Sequence, residues 1–149
     1  TQGRYKNFWI DINRTAHIGP ASQAYKEQYE AVRETFESIS ARLKPGANTA
    51  EICDFDGIPA AAKLDPPEKL LLVAHSVGLV PLESPVPYPG TGLHGAKEGF
   101  IAEEGMVISI DCLYFGSKLG PSHMENVFIV TEDGAEPLYQ FPLDLSETA

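Results

Sequence analysis

The period of the apolar positions changes along this chain, and each change marks an element. Residues 5–12, YKNFWIDI, alternate and are rich in aromatics, which predicts a strand. GPAS at 19–22 punctuates. From 22 to 43, Tyr25, Tyr29, Val32, Phe36, Ile39 and Leu43 recur at spacings of four and three, the apolar stripe of a helix. Ser22 suits its N-cap and Lys44-Pro45-Gly46 its stop. Such a stripe can serve a coiled coil, but over so short a helix it is expected to lie on a sheet. A second helix is expected from NTAEI at 48–52, capped by Thr49 or Asn48 and ending or restarting near Gly57-Ile58-Pro59. KLLLVAH at 69–75 reads as a strand or a helix-to-strand junction, and MVISIDCLYF at 106–115 and MENVFIVT at 124–131 read as strands, the last closed by the turn EDG. SPVPYPGTGLHG, 84–95, is a Pro- and Gly-rich loop. The order strand, helix, helix, then strands implies an α+β domain with a largely antiparallel sheet.

Composition narrows the function. The chain has 149 residues, enough for one domain with a real core, and a formal charge of −10 from 11 basic and 21 acidic residues. That balance argues against nucleic acid and anionic membranes as partners, since both attract basic patches. The apolar run at 70–80 is too short to span a bilayer and contains His75. No secretory signal peptide is expected, and a first residue other than Met is what a processed, trimmed or partly observed chain would show. Cys53 and Cys112 lie far apart. They can form one disulfide, but two reduced thiols of a cytoplasmic protein are the expectation.

One position does not fit its strand. In MVISIDCLYF, Asp111 stands in the most apolar neighbourhood of the chain, where an unpartnered carboxylate costs several kcal/mol or takes up a proton. Asp11, His75 and Glu125 are comparable polar residues in or beside apolar strands. Each alone has an ordinary explanation: a strand end, a hydrogen-bonded core histidine, a solvated face. Together, three carboxylates and an imidazole make an oxygen-rich ligand set with one nitrogen. Mn²⁺, Fe²⁺, Co²⁺ or Zn²⁺ suits it better than Ca²⁺. Two such ions ~3.5–4 Å apart can activate water and polarise a carbonyl. Alternation places Asp111 on one strand face with Ser109 and Val107. If the strands of Asp111 and Glu125 are antiparallel neighbours, the two carboxylates approach across the pair and, without metal, one should carry a raised pKa.

These segments resemble the catalytic domain of the pita-bread metalloenzymes, which include aminopeptidase P, prolidase, methionine aminopeptidase and creatinase. FWIDINRTAHIGP resembles that family's Asp-Ile-Thr-Arg-Thr segment, and LKPGANTAEI its Pro-Gly junction between helices. AHSVGL is similar to its His-Gly-Val/Ile-Gly-Leu motif, EEGMVISID to its Glu-Pro-Gly-Met strand, and MENVFIVTEDGAEPL to its final Ile-Glu-Asp strand and turn. The resemblance runs from about residue 5 to 138, with the motifs in family order. HSVGLVPLESPVPYPG with EPLYQFPLD is similar to the branch containing dimethylsulfoniopropionate lyase.

The resemblance implies a pita-bread fold: a curved antiparallel sheet with helices outside it, incomplete at its N-terminus and filling residues 1–149 as one domain. It implies Asp11, His75, Asp111 and Glu125 as metal ligands, with Glu125 also moving the proton. Glu83, His94 and His123 are candidate substrate contacts. There are departures. The family's first metal aspartate would fall before Thr1, so the ions in this chain are expected to be weak, single or absent. Asp111 stands for a glutamate, Leu82 for a second histidine, Ser76 for a glycine and His123 for a frequent arginine. The implied activity is metal-dependent hydrolysis of an Xaa-Pro peptide or similar small amide, in a protein whose relatives are often dimers. The alternatives are lyase or amidine chemistry on a small osmolyte-like molecule, or a binding module with a decayed site.

Overall fold

The stripe at 22–43 folds as helix α1 (Gln23–Ser40), and Ser22 caps it: its Oγ accepts the Tyr25 N–H at 3.2 Å. The helix stops three residues short of the expected Leu43. Pro45 disfavours helical backbone at Lys44, and the chain turns tightly, with Arg42 and Leu43 N–H donating to the carbonyls of Ile39 and Ser40. Leu43 stays buried all the same. Tyr29, Val32, Phe36 and Ile39 are buried too, as the stripe requires.

The computed structural model describes residues 2–83 and 99–148; the Pro- and Gly-rich segment 84–95 lies outside the described residues. Four strands form one antiparallel sheet in the order β4 (Leu70–Ser76), β5 (Val107–Tyr114), β6 (Ser122–Val130) and β7 (Ala135–Pro137). α1 lies across β5 and β6. Ile108, Ile110, Cys112 and Tyr114 are fully buried on the helix side of β5, while Phe128 of β6 meets the Phe36 ring, centroids 6.3 Å apart. Burial at about 25 cal/mol per Å² of apolar surface makes this layer the main source of stability. Cys53 and Cys112 are unpaired thiols in it.

Two expectations are corrected. Residues 5–12 are not one strand but half of a hairpin, β1 (Gln2–Tyr5) and β2 (Phe8–Asp11). Lys6 and Asn7 both take positive φ, 47° and 72°, which makes the two-residue turn whose twist suits a hairpin. Asn7 tolerates that backbone and accepts from Arg4 Nη2 at 2.8 Å. Neither Gly nor an Asn-Gly pair announces this turn. The second helix, α2 (Thr49–Ile52), is capped by Asn48 and ends well before Gly57; two short 3₁₀ turns, Ala61–Lys63 and Pro67–Lys69, follow it. Near the end of the chain β8 (Ser146–Thr148) pairs in parallel with β3 (Ala16–Ile18), and Glu147 accepts the Ala21 N–H and pairs with Lys26. Among the described residues, no helix is long and apolar enough to cross a membrane.

The layered core makes one stability prediction. Phe36→Ala should cost about 3–5 kcal/mol in denaturant unfolding, whereas Tyr5→Ala, at a side chain 75% exposed on the hairpin, should stay within about 0.5 kcal/mol.

Candidate metal centre

The sheet has a second face. β5 turns Val107, Ser109, Asp111 and Leu113 away from α1, and its register sets Asp111 directly opposite Glu125 on β6 and Val73 on β4. His75 faces Ser109, two residues along. Asp11 arrives from the end of β2. Just beyond it, Asn13 bridges backbone to backbone with Glu125, which fastens the hairpin to β6.

Asp11, His75, Asp111 and Glu125 therefore converge, although 114 positions separate the first from the last. Their ligand atoms form two overlapping groups, Asp11–His75–Glu125 and Asp111–His123–Glu125, each with all atoms within 4.8 Å of one another. Glu125 belongs to both. His75 Nε2 lies 3.4 Å from Asp111 Oδ2 and 3.7 Å from Glu125 Oε1. His123 Nε2 donates to Asp111 Oδ1 at 2.8 Å. His75 and Glu125 are 2% exposed, while Asp111 and His123 open the cluster to solvent.

Of the other candidates, His123 lies in the cluster and Glu83 does not. The Glu83 carboxylate folds back onto the Leu79 N–H at 3.2 Å, beside an apolar pocket of about 560 Å³ lined by Trp9, Ile10, Val107 and Leu138. His94 lies outside the described residues. The Arg14 guanidinium collects carbonyls and the Asn126 side chain.

Burial and charge set the protonation of the cluster. Burial would push Asp111 up, but His123 and His75 outweigh it and hold its carboxyl below the ordinary range. The expected carboxylate coupling thus falls elsewhere: Asp11 is the raised one, first by burial, against the Gln2 amide, with Glu125 and Asp111 adding repulsion. Burial would lower His75, yet Asp111 and Glu125 beside it carry it up to about 10.

Several supporting residues escape a sequence reading. Ser109 Oγ donates to Glu125 Oε1 at 2.9 Å, Asn13 Nδ2 donates to Glu125 Oε2, and Gln2 Nε2 donates to Asp11 Oδ2 at 2.8 Å. The available signal was positional: Ser109 shares a strand face with Asp111, and Asn13 stands two residues after Asp11. His75 Nδ1 faces the Ser76 carbonyl at 3.2 Å, which fixes its proton there and turns Nε2 toward the carboxylates. Each Glu125 oxygen keeps a lone pair beyond its hydrogen bond. The donor set, oxygen-rich with one or two imidazoles, thus fits a divalent ion of the kind that accepts both.

One face of the antiparallel sheet thus gathers a cluster able to hold divalent metal. The profile of metallopeptidase family M24 matches residues 1–132, and the chain belongs to that family. It is 28% identical over 141 residues to the uncharacterized peptidase YqhT of Bacillus subtilis, covering 95% of this chain and 38% of that protein. It is 26% identical over 139 residues to the Xaa-Pro dipeptidase of Pyrococcus furiosus, covering 90% and 36%. The prolidase structure from Pyrococcus horikoshii superposes with a TM-score of 0.79 at 26% identity, over 95% of this chain and 39% of that one. The fold is the pita-bread fold, and the chain spans well under half the length of these relatives.

The His75 proton is testable. Its folded pKa, about 10, lies above the ordinary 6.5, so in the metal-free protein this ion pair stabilises fully below pH 6.5 and is lost as pH rises through 10. A ligating imidazole must be neutral. Binding of Mn²⁺ at pH 7.5 should therefore release about one proton and tighten toward pH 10, read by titration calorimetry in buffers of different ionisation enthalpy.

Proposed function

We propose that this chain supplies most of a pita-bread catalytic domain that holds divalent metal and hydrolyses an amide bond in a small peptide, of the Xaa-Pro kind or close to it. The observation that carries the reading is the pair of ligand groups sharing Glu125, on a sheet face that the core does not use. The family membership and the Xaa-Pro dipeptidase relative support the reaction class. Asp11, His75 and Glu125 would hold one ion, and Asp111, His123 and Glu125 a second. Such ions supply a polarised carbonyl and an activated water.

The chain's own groups do the rest. Ser109 and Asn13 hold the two Glu125 oxygens, so that carboxylate keeps one orientation while it accepts and passes on a proton. The Ser76 carbonyl holds the His75 tautomer. His123, 27% exposed at its side chain, stands at the open rim, where a substrate carbonyl or carboxylate would meet it. A cytoplasmic setting fits the two unpaired thiols, and a homodimer is part of the same reading.

A second reading has a specific observation behind it. Leu82, where the resemblance calls for a second histidine, is 57% exposed and brings no polar group to the site. That favours a non-peptidase member acting on a small osmolyte-like molecule, or a binding module, over ordinary peptide hydrolysis.

A panel of Xaa-Pro dipeptides assayed with added Mn²⁺ separates the readings. Cleavage of a dipeptide by the unsubstituted protein, falling on the order of 100-fold or more in Glu125→Gln and His75→Ala, is expected. Bound metal without cleavage of any dipeptide would favour the second reading. No metal and no cleavage would leave the binding module.

A further inference from the structure

The free edge of β6 is shared by two segments. Residues 13–15 run along its first half: Asn13 and Glu125 exchange backbone hydrogen bonds, and the Thr15 hydroxyl accepts the His123 N–H at 2.8 Å. β7 takes its second half, from Phe128 to Val130. Between them, at Asn126 and Val127, the edge has no strand partner. This gap opens right beside the Asn13–Glu125 pair, two residues along the chain from Asp11.

Tyr139 fills that gap. Leu138 N–H donates to the Val127 carbonyl at 2.9 Å, so the chain still follows β6 past β7. The Tyr139 hydroxyl then accepts the Val127 N–H at 3.1 Å and donates its own proton to the Asp11 carbonyl. One side-chain oxygen thus replaces a stretch of ladder and ties the last residue of β2 to the strand that bears Glu125. A hydroxyl can do this because it both accepts and donates. Burial pushes the phenol up to about 12, so it keeps its proton and remains a donor throughout the working pH range. Tyr139 lies beyond the stretch matched by the family profile, which ends at residue 132.

We infer that Tyr139 is a positioning residue that sets Asp11 against Glu125 through its hydroxyl, and so tunes the Asp11–His75–Glu125 half of the metal centre. This rests on the metal-site reading proposed above. The residue touches the backbone of Asp11, not its carboxylate, so it acts on where the carboxylate stands and not on its charge.

Tyr139→Phe tests it, with Tyr29→Phe as the comparison. Tyr29 is buried, its phenol is likewise pushed up to about 12, and its hydroxyl donates to the Leu143 carbonyl at 3.1 Å, outside the cluster. In the metal-free protein, Tyr139→Phe should speed hydrogen exchange of the Val127 amide. In Mn²⁺ titrations it should weaken binding about tenfold or more, the range for loss of an outer support to a metal ligand, while Tyr29→Phe leaves affinity unchanged. Unchanged affinity in Tyr139→Phe beside normal binding by the unsubstituted protein would overturn this inference alone. Equal weakening in both variants would also overturn it, because a general loss of stability would then explain the effect. Failure of the unsubstituted protein to bind Mn²⁺ would overturn the metal-site reading and this inference with it.

Discussion

Everything in this domain depends on the register between β5 and β6. A strand alternates its faces with a period of two, so a slip of one residue would exchange every side chain between core and site. With Asp111 opposite Glu125, Ile110 meets Asn126 and Cys112 meets Met124 on the α1 side, and the polar cluster gathers on the other. The same pairing that buries Ile108, Ile110 and Met124 under the helix also brings two carboxylates face to face. Stability and site are therefore not separable designs. The apolar face, worth far more than any single polar contact, fixes the register, and the register places the ligands.

A second constraint keeps the hairpin on that sheet. Arg14 Nη1 donates to the carbonyls of Asn13 and Glu125, Nη2 to Asn126 Oδ1 and the Phe141 carbonyl, and Nε to the Pro142 carbonyl at 2.8 Å. A planar fork with five N–H groups can join three chain segments in one plane, which a lysine cannot. The segment after β2, the edge of β6 and the tail after β7 all meet at this guanidinium. Arg14 and Tyr139 thus stitch the same seam from two sides. The consequence is that Asp11, at the end of a two-stranded hairpin that alone would be marginal in water, stands still enough to be a candidate ligand.

Much of this was legible in the sequence, for reasons that differ by element. The stripe from Tyr25 to Ile39 was plain because a helix on a sheet must repeat its apolar residues, and Ser22 announced its start. Asp111 was legible as a misfit: a charge in a run of Ile, Val and Leu needs a cause. Convergence with Asp11, His75 and Glu125 came from the resemblance and the order of its motifs, since no spacing rule joins residues so far apart in the chain. The hairpin at Lys6-Asn7 was not legible, because its left-handed turn is made by residues that do not demand one. The roles of Ser109, Asn13 and Tyr139 were hidden as well. Small polar residues and tyrosines occur everywhere, and only the fold says which of them meets a carboxylate or a backbone edge. Glu83, a candidate substrate contact, follows the His75 strand closely, and its carboxylate accepts the Leu79 N–H.

The electrostatics of the cluster follow from these placements. Three carboxylates share a space with two imidazoles on a protein that is already strongly acidic. Charges crowded this closely shift one another's protonation. His75 holds a proton up to about 10 because Asp111 and Glu125 sit beside it. The Asp11 carboxyl is raised from its ordinary value, because burial and its two acidic neighbours disfavour its charge. Asp111 is held on the ionised side, paired with both histidines. Proton and metal therefore compete for the same oxygens and the same Nε2. A divalent ion entering here would replace a proton on His75 and remove the repulsion felt by Asp11, so its binding gains from relief of strain already present in the folded chain. Replacing Glu125 by an apolar residue would relieve that repulsion in another way. It would also remove the one carboxylate common to both ligand groups, which is why the cost of keeping three acids together is better understood as part of the site than as a flaw in the core.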